Sequence, residues 1–377
     1  MKICVIGPRY TFTGVALAQT RMARALAERG HQVDLIFGCL DAAHLPPDQF
    51  HAPEVPGVNV QVWDRSRVAG MFLPLCRYFR DVKPDIVFSA EDHLNDMVIL
   101  AALVTRSKAK LSGSSRVFPY DQIGHEGPYS EKAFSKGWIF KQVTRVLLKR
   151  ADAMTCVSED MAETYRTIFP HGRHECVHNI IADDRAQERM KEPVEHPWFG
   201  DQSVPLIVSA GTLTLRKGFT DLLRALRIVH DRGHRVRLAI LGEGPMREEL
   251  AELTKELKLE GFVWMPGRVD NTLKYFARGD VSVLCSYSEG LPNALVEAMV
   301  CGCVPVATDC PTGPREVLQN GKYGYLVPMR DPPALAAGII EALERPIAPE
   351  LLQEAVRSFQ PDAVIGRHFG LLGISAA

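Results

Sequence analysis

Short apolar runs alternate with stretches of helical periodicity along the whole chain. Lys2 to Gly7 is one such run, ended by Gly and Pro; a helical pattern follows from about Val15 to Arg29, Gly30 stops it, and Gln32 to Phe37 opens the next run. The periods predict strand, helix, strand. Further runs at Ile86 to Phe88, Lys110 to Ser114 and Ala153 to Val157 continue the alternation. This is the pattern of a parallel sheet covered on both faces.

Between Asp183 and Pro205 the chain turns polar and carries Pro193, Pro197 and Pro205. The alternation then restarts with apolar runs at Leu206 to Ala210, Val236 to Leu241, Phe262 to Met265, Val281 to Cys285, Val304 to Ala307 and Tyr325 to Val327. The expected architecture is therefore α/β, with two Rossmann-like doubly wound domains facing across a cleft. The first covers 1–182 plus 362–377, the second 200–361, and 183–199 is the linker. Open parallel sheets bind ligands outside the carboxyl ends of their strands, so the active site is expected there. A chain of 377 residues is long enough to bury two such cores.

Composition narrows the function. Lys and Arg number 44 against 45 Asp and Glu, which gives no basic field for nucleic acid. The nine cysteines are an odd count, and Cys4, Cys156 and Cys285 fall inside apolar runs, as expected of buried thiols in a reducing compartment. Cys301 and Cys303 have only one residue between them, a spacing that supports neither a zinc site nor a redox pair. His171, His174, Cys176 and His178 are read as a solvated loop rather than a metal centre. The start MKICVIG is not a signal peptide, and no apolar stretch is long enough to span a bilayer. A cytoplasmic protein is expected, with a peripheral place on the inner face of the membrane as a further option. No GxGxxG follows the first strand of either half, which argues against a nicotinamide dehydrogenase; Gly242-Glu243-Gly244-Pro245 is a tight turn or a ligand contact.

The densest chemistry lies in Ser286 to Gly302, which contains Glu289-Gly290-Leu291-Pro292-Asn293-Ala294 and then Glu297. The segment follows a strand, turns at Gly290 and opens a helix near Pro292. A helix N-terminus at that place can hold a phosphate. Glu297 falls in an apolar string and needs a partner, for which a ribose diol is suited. Glu289 sits in the loop, where it would reach beyond the phosphates. The second cue is Gly211 to Gly218, whose Arg216 and Lys217 can neutralise a diphosphate at a strand's carboxyl end. The alternative reading of these residues is a solvated basic pair and two surface glutamates. No Asp-x-Asp triplet offers itself to a divalent metal, so cations and a helix terminus would stabilise the leaving group.

These motifs resemble the E-x7-E retaining glycosyltransferases of the family-four type, which have the GT-B fold. The resemblance extends to Cys303 to Pro328, to Gly14 with Ala23 to Val33, and to Ala151 to Ser158, and so covers most of the chain. It implies transfer of a sugar from a nucleotide diphosphate sugar with retention of configuration, without cofactor or metal. By resemblance, Arg216 and Lys217 stabilise the departing diphosphate and Glu289 contacts the donor sugar. Glu297 holds the ribose, the main chain at Gly290, Leu291, Asn293 and Ala294 lies near the distal phosphate, Arg268 and Val269 recognise the base, and Gly211 and Gly14 lie close to the donor. The Gly313-Pro-Arg-Glu316 segment looks most like uridine-dependent relatives.

Three positions depart from the family pattern. Thr212 stands where the family has Arg, only Gly14 represents a glycine pair, and Arg116, with His125 nine residues on, stands where many members carry a His on the acceptor side. The implied partners are the nucleotide-sugar donor and a saccharide acceptor, which becomes lipid-linked if the basic segment 132–150 lies on an anionic membrane. In that segment Lys141, Arg145 and Lys149 are spaced along one helical face and Ile139, Val143 and Leu147 along another. The rival functions are a GT-B-fold sugar-nucleotide epimerase or phosphorylase, and a catalytically inactive nucleotide-sugar-binding protein. Donor binding without product in any acceptor mixture would distinguish the last.

Overall fold

The apolar runs become parallel strands in a computed structural model that describes residues 1–11, 14–40, 51–119 and 129–375. The chain divides into two compact units, Met1–Ile180 with Pro361–Ala377, and Ile181–Gln360.

In the first unit the order is β1 (Lys2–Tyr10), α1 (Gly14–Glu28), β2 (Gln32–Leu40), β3 (Val58–Val62), α2 (Phe72–Asp81), β4 (Ile86–Ala90), α3 (Asp92–Thr105), β5 (Lys110–Ser115), α4 (Lys136–Leu147), β6 (Ala153–Cys156), α5 (Glu159–Ile168) and β7 (His174–Cys176). The seven strands pair in parallel in the order β3-β2-β1-β4-β5-β6-β7. Ile3, Val5, Leu35 and Phe37 bury against Ala23 and Leu26 of α1 and against Val364, Ile365 and Phe369 from the end of the chain.

The second unit contains α6 (Asp184–Lys191), β8 (Leu206–Ala210), α7 (Phe219–Asp231), β9 (Arg237–Leu241), α8 (Arg247–Glu256), β10 (Val263–Gly267), α9 (Leu273–Phe276), β11 (Val281–Leu284), α10 (Asn293–Val300), β12 (Val304–Thr308), α11 (Pro314–Val317), β13 (Tyr325–Val327), α12 (Pro332–Glu344) and α13 (Pro349–Ala355); α14 (Pro361–Leu371) returns to the first unit. Its six strands run parallel in the order β10-β9-β8-β11-β12-β13. Helix α7 shows why the sequence folds this way. Phe219, Leu222, Leu223, Leu226 and Val229 recur at helical spacing and are all buried against Ile207, Leu238 and Val306 of the sheet. In both sheets the strand order reverses beside the first strand, between β1 and β4 and between β8 and β11, and ligands of open sheets gather outside such points.

Three expectations need correction. Residues 183–199 are built into the second unit and carry α6, capped by the Asp183 side chain on the Ala186 N–H at 3.1 Å. The segment around His174 is an edge strand, not a solvated loop: His174 is buried, its carbonyl accepts from Arg166 Nε at 2.7 Å, and burial lowers its pKa to about 3. A three-residue strand is too short for its period to show in the sequence. Lys141 is also buried rather than on an exposed basic face, with its ammonium paired to the exposed Glu131.

Candidate active site

The turn after β8 is fixed to the loop after β11 by backbone contacts. Leu215–Lys217 forms one 3-10 turn, and Gly218 closes it with φ 67°. A Cβ on Gly218 would lie 2.0 Å from the Cys285 carbonyl oxygen, so both the left-handed φ and the close approach require glycine. The Tyr287 N–H donates to the Arg216 carbonyl at 2.8 Å, and the Cys285 thiol donates to the Lys217 carbonyl at 3.1 Å. From beneath, Gly242 packs backbone to backbone on Gly211, and the Leu213 N–H donates to the Glu243 carbonyl at 3.0 Å. The glycines of Gly242-Glu243-Gly244 are thereby accounted for as close packing of two loops.

This scaffold brings Arg216, Lys217 and Glu289 together. The Glu289 carboxylate is buried; Lys217 Nζ donates to its Oε1 at 2.5 Å, Ser286 Oγ donates to the same oxygen at 2.6 Å, and the Arg216 guanidinium lies 3.6 Å from Oε2. Arg216 also donates to the Ser288 carbonyl. Two cations over one carboxylate leave a net positive charge at the strand ends. Glu289 thus faces the basic pair, and half of that pair's charge is matched by it.

The Glu289 loop is braced from the next connection. Thr312 sits at φ 63°, a costly region for a β-branched residue, and its hydroxyl donates to the Glu289 carbonyl. Gly313 lets that segment close on Gly290 and Pro292, where a Cβ would stand 2.6 Å from Pro292 Cδ. Beneath the loop, burial pushes the Cys310 thiol up to about 12, so it stays protonated.

Helix α10 starts after Pro292. The Asn293 N–H donates to the Leu291 carbonyl at 2.9 Å, so this amide must change partner before it can meet a phosphate. Glu297 lies in the second turn, and its Oε2 accepts from the Thr272 hydroxyl at 2.8 Å. The partner that its apolar string demanded is partly supplied by the protein itself. Arg268 and Val269 follow β10, with Arg268 exposed and Val269 packed on the Leu206, Ala239 and Phe276 cluster. Gly211, Arg216, Lys217, Arg268, Val269, Gly290, Leu291, Asn293, Ala294 and Glu297 therefore all belong to the second unit, in or just beyond the loops that follow its strands, together with Glu289.

In the first unit, Gly14 is the exposed first residue of α1, where a Cβ would meet nothing within 4 Å. Arg116 follows β5 and donates to Asn179 Oδ1; burial lowers its pKa to about 10, opposed by the charge of Glu91. His125 lies outside the described residues. Glu91 was missed. It follows β4 at the strand-order reversal with φ 79°, and burial raises its pKa against the pull of Arg9 and Arg116. Asking which residue follows each strand would have found it, whereas Thr272 and Thr312 carry no such signal.

Residues 193–359 match the family described as glycosyl transferases group 1, and residues 13–179 match the glycosyl transferase 4-like domain. The chain is similar over 99% of its length to Anabaena HepE crystallised with UDP, with a TM-score of 0.73 and 19% identity across 100% of that chain. It is likewise similar to the lipopolysaccharide outer core galactosyltransferase WaaB, with a TM-score of 0.68 and 17% identity across 99% of each chain. The fold is that of the GT-B glycosyltransferases. Among curated relatives, an uncharacterized glycosyltransferase of Methanocaldococcus jannaschii is 28% identical over 67% of this chain and 65% of its own. An N-acetylgalactosaminyltransferase of Campylobacter jejuni, named for a diphospho-undecaprenol-linked saccharide, is 36% identical over 37% of each. The matched stretches thus span between 37% and 65% of these two relatives' lengths. In GT-B terms, the Arg216, Lys217 and Glu289 cluster belongs to the second Rossmann-like unit and falls within the group 1 match.

Proposed function

We propose that this chain is a retaining, metal-independent glycosyltransferase that moves a sugar from a UDP-sugar to a lipid-linked saccharide acceptor in polysaccharide or glycoconjugate synthesis. The observation that carries the reading is the cluster of Arg216 and Lys217 on the buried Glu289, at the carboxyl ends of β8 and β11. Both domain matches and the GT-B fold support transfer. Uridine as the base is supported by the UDP complex of HepE, and a lipid carrier by the name of the Campylobacter relative.

In this reading the donor diphosphate takes over the basic pair. The bond from the sugar's anomeric carbon to the diphosphate oxygen breaks, and Arg216 and Lys217 hold the departing charge. The acceptor oxygen bonds to the anomeric carbon on the same face, and its proton passes to the leaving phosphate oxygen. Glu289, released from Lys217, contacts the sugar hydroxyls, Glu297 the ribose, the main chain of 290–294 the distal phosphate, and Arg268 with Val269 the base. Arg116, with Glu91 beside it, serves the acceptor side. Isolation of a glycosyl ester on Glu289 would overturn the step.

The membrane element of the reading rests on α4. Ile139, Val143 and Val146 are 51%, 47% and 67% exposed, Phe134 just before the helix is 83% exposed, and Lys136, Arg145 and Lys149 flank this stripe. An apolar stripe bordered by cations suits an anionic bilayer surface.

Thermal unfolding with UDP, GDP, ADP and NAD tests the donor site. Ligand at a hundredfold over its Kd stabilises by about 2.7 kcal/mol, a shift of several degrees. UDP should give that shift and Lys217→Ala should lose it; a shift with NAD alone rejects the transferase reading. NMR of the product's anomeric configuration tests retention.

A further inference from the structure

Beneath the carboxyl ends of β1, β4 and β5 the first unit has a small pocket of about 30 Å³, lined by Val5, Gln19, Phe88, Ser114, Arg116 and His368 among others. Three buried atoms without a partner among the described residues belong to side chains that line it: Gln19 Oε1, Arg116 Nε and His368 Nδ1. They come from α1, from the segment after β5 and from α14, elements far apart in sequence. Leaving three such groups dry is unfavourable, because buried donors and acceptors are almost always paired. A space of this size holds one water, and buried waters characteristically make about three bonds to groups of this kind.

We infer that one ordered water occupies this pocket and ties Arg116 to Gln19 and His368, which makes those two side chains positioning residues for Arg116. The donor and acceptor roles close. Gln19 Nε2 donates to the Ile6 carbonyl, which leaves its Oε1 as an acceptor. Burial lowers the His368 pKa to about 3, so the ring is neutral and Nδ1 can offer a lone pair. The water accepts from Arg116 Nε–H and donates to Gln19 Oε1 and His368 Nδ1. Gly7 fits the same arrangement, because a Cβ there would lie 2.1 Å from Gln19 Oε1 and drive the amide out of place. Asn179 holds the guanidinium from its other side, so Arg116 is fixed at two points. The C-terminal helix α14 thereby sets the orientation of an arginine more than two hundred residues earlier in the chain. The inference concerns the placement of Arg116 and does not depend on the transferase reading.

Two measurements decide it. A high-resolution crystal structure of the full chain should show one water within hydrogen-bond distance of all three atoms; an empty pocket overturns the proposal. In solution the Arg116 Hε resonance should exchange slowly with solvent. Gln19→Met and His368→Leu, which preserve packing, should each speed that exchange by about tenfold, and His368→Gln, which keeps a polar atom, should leave it slow. Unchanged exchange in folded Gln19→Met and His368→Leu proteins would show that they merely fill space. If these variants fail to fold, the crystallographic result stands alone as the deciding one.

Discussion

Lys217 and Glu289 are the residues whose interaction most directly couples stability to binding. Lys217→Ala leaves Arg216 and Ser286 as the remaining partners of the buried Glu289, so it should cost about 2 kcal/mol, the loss of one charged hydrogen bond, and abolish UDP binding. Glu289→Gln should behave differently. It removes the internal competitor for Lys217, so UDP affinity measured by calorimetry should hold or rise while turnover falls about a hundredfold. Equal loss of affinity in both variants would contradict the exchange of partners proposed for Lys217.

Asp96 supplies a pH test in the first unit. It is buried, accepts from the Thr144 hydroxyl, and burial raises its pKa to about 7, above the usual 3.8 of an aspartate. The folded state therefore binds the proton more tightly than the unfolded chain. The associated stability is fully present below about pH 4 and is lost as pH rises to about 7, at most about 4 kcal/mol for a shift of this size. Asp96→Asn should raise the unfolding temperature at pH 8 and leave it nearly unchanged at pH 4. A gain of equal size at both values would mean that its ionisation is not linked to folding.

At the scale of elements, α4 shows how helical spacing can mislead about which face is buried. Residues 140, 141, 144 and 147 turn inward: Phe140 stacks on His93 at 4.1 Å, and Thr144 bonds to Asp96. That packing expels Ile139 and Val143, which the spacing had grouped with Leu147. Ile139→Asp with Val143→Asp should leave thermal stability within about 0.5 kcal/mol, since the sites are exposed. The same change should abolish cosedimentation with anionic vesicles, and wild-type binding should weaken with salt. Wild-type protein that ignores such vesicles would remove the membrane from the functional reading.

Across the whole molecule, the proposed donor site lies within the second unit, a placement that amide exchange can map. Saturating UDP should slow amide exchange in 211–218 and 286–297 of the second unit, where the loops after β8 and β11 are bound to each other by backbone bonds. Protection that avoids those loops would place the nucleotide elsewhere.

The alternation of apolar runs and helical periods determined the two parallel sheets, because strands buried on both faces can be read locally. The same local reading singled out Arg216, Lys217, Glu289 and Glu297, because glycine turns and strand ends mark where polar side chains need a purpose, and the fold gathers the first three. Tertiary structure alone decided the rest. The three-residue strand β7 exists through pairing with its neighbour, not through its own pattern, whereas β3 alternates Val58, Val60 and Val62 with Asn59 and Gln61. Thr272 meets Glu297, Thr312 braces Glu289, and Gln19 with His368 surrounds Arg116, because chain segments distant in sequence converge on the ends and faces of a sheet. Such partners leave no periodic trace, since burial of a polar group is satisfied by whatever the fold brings within reach.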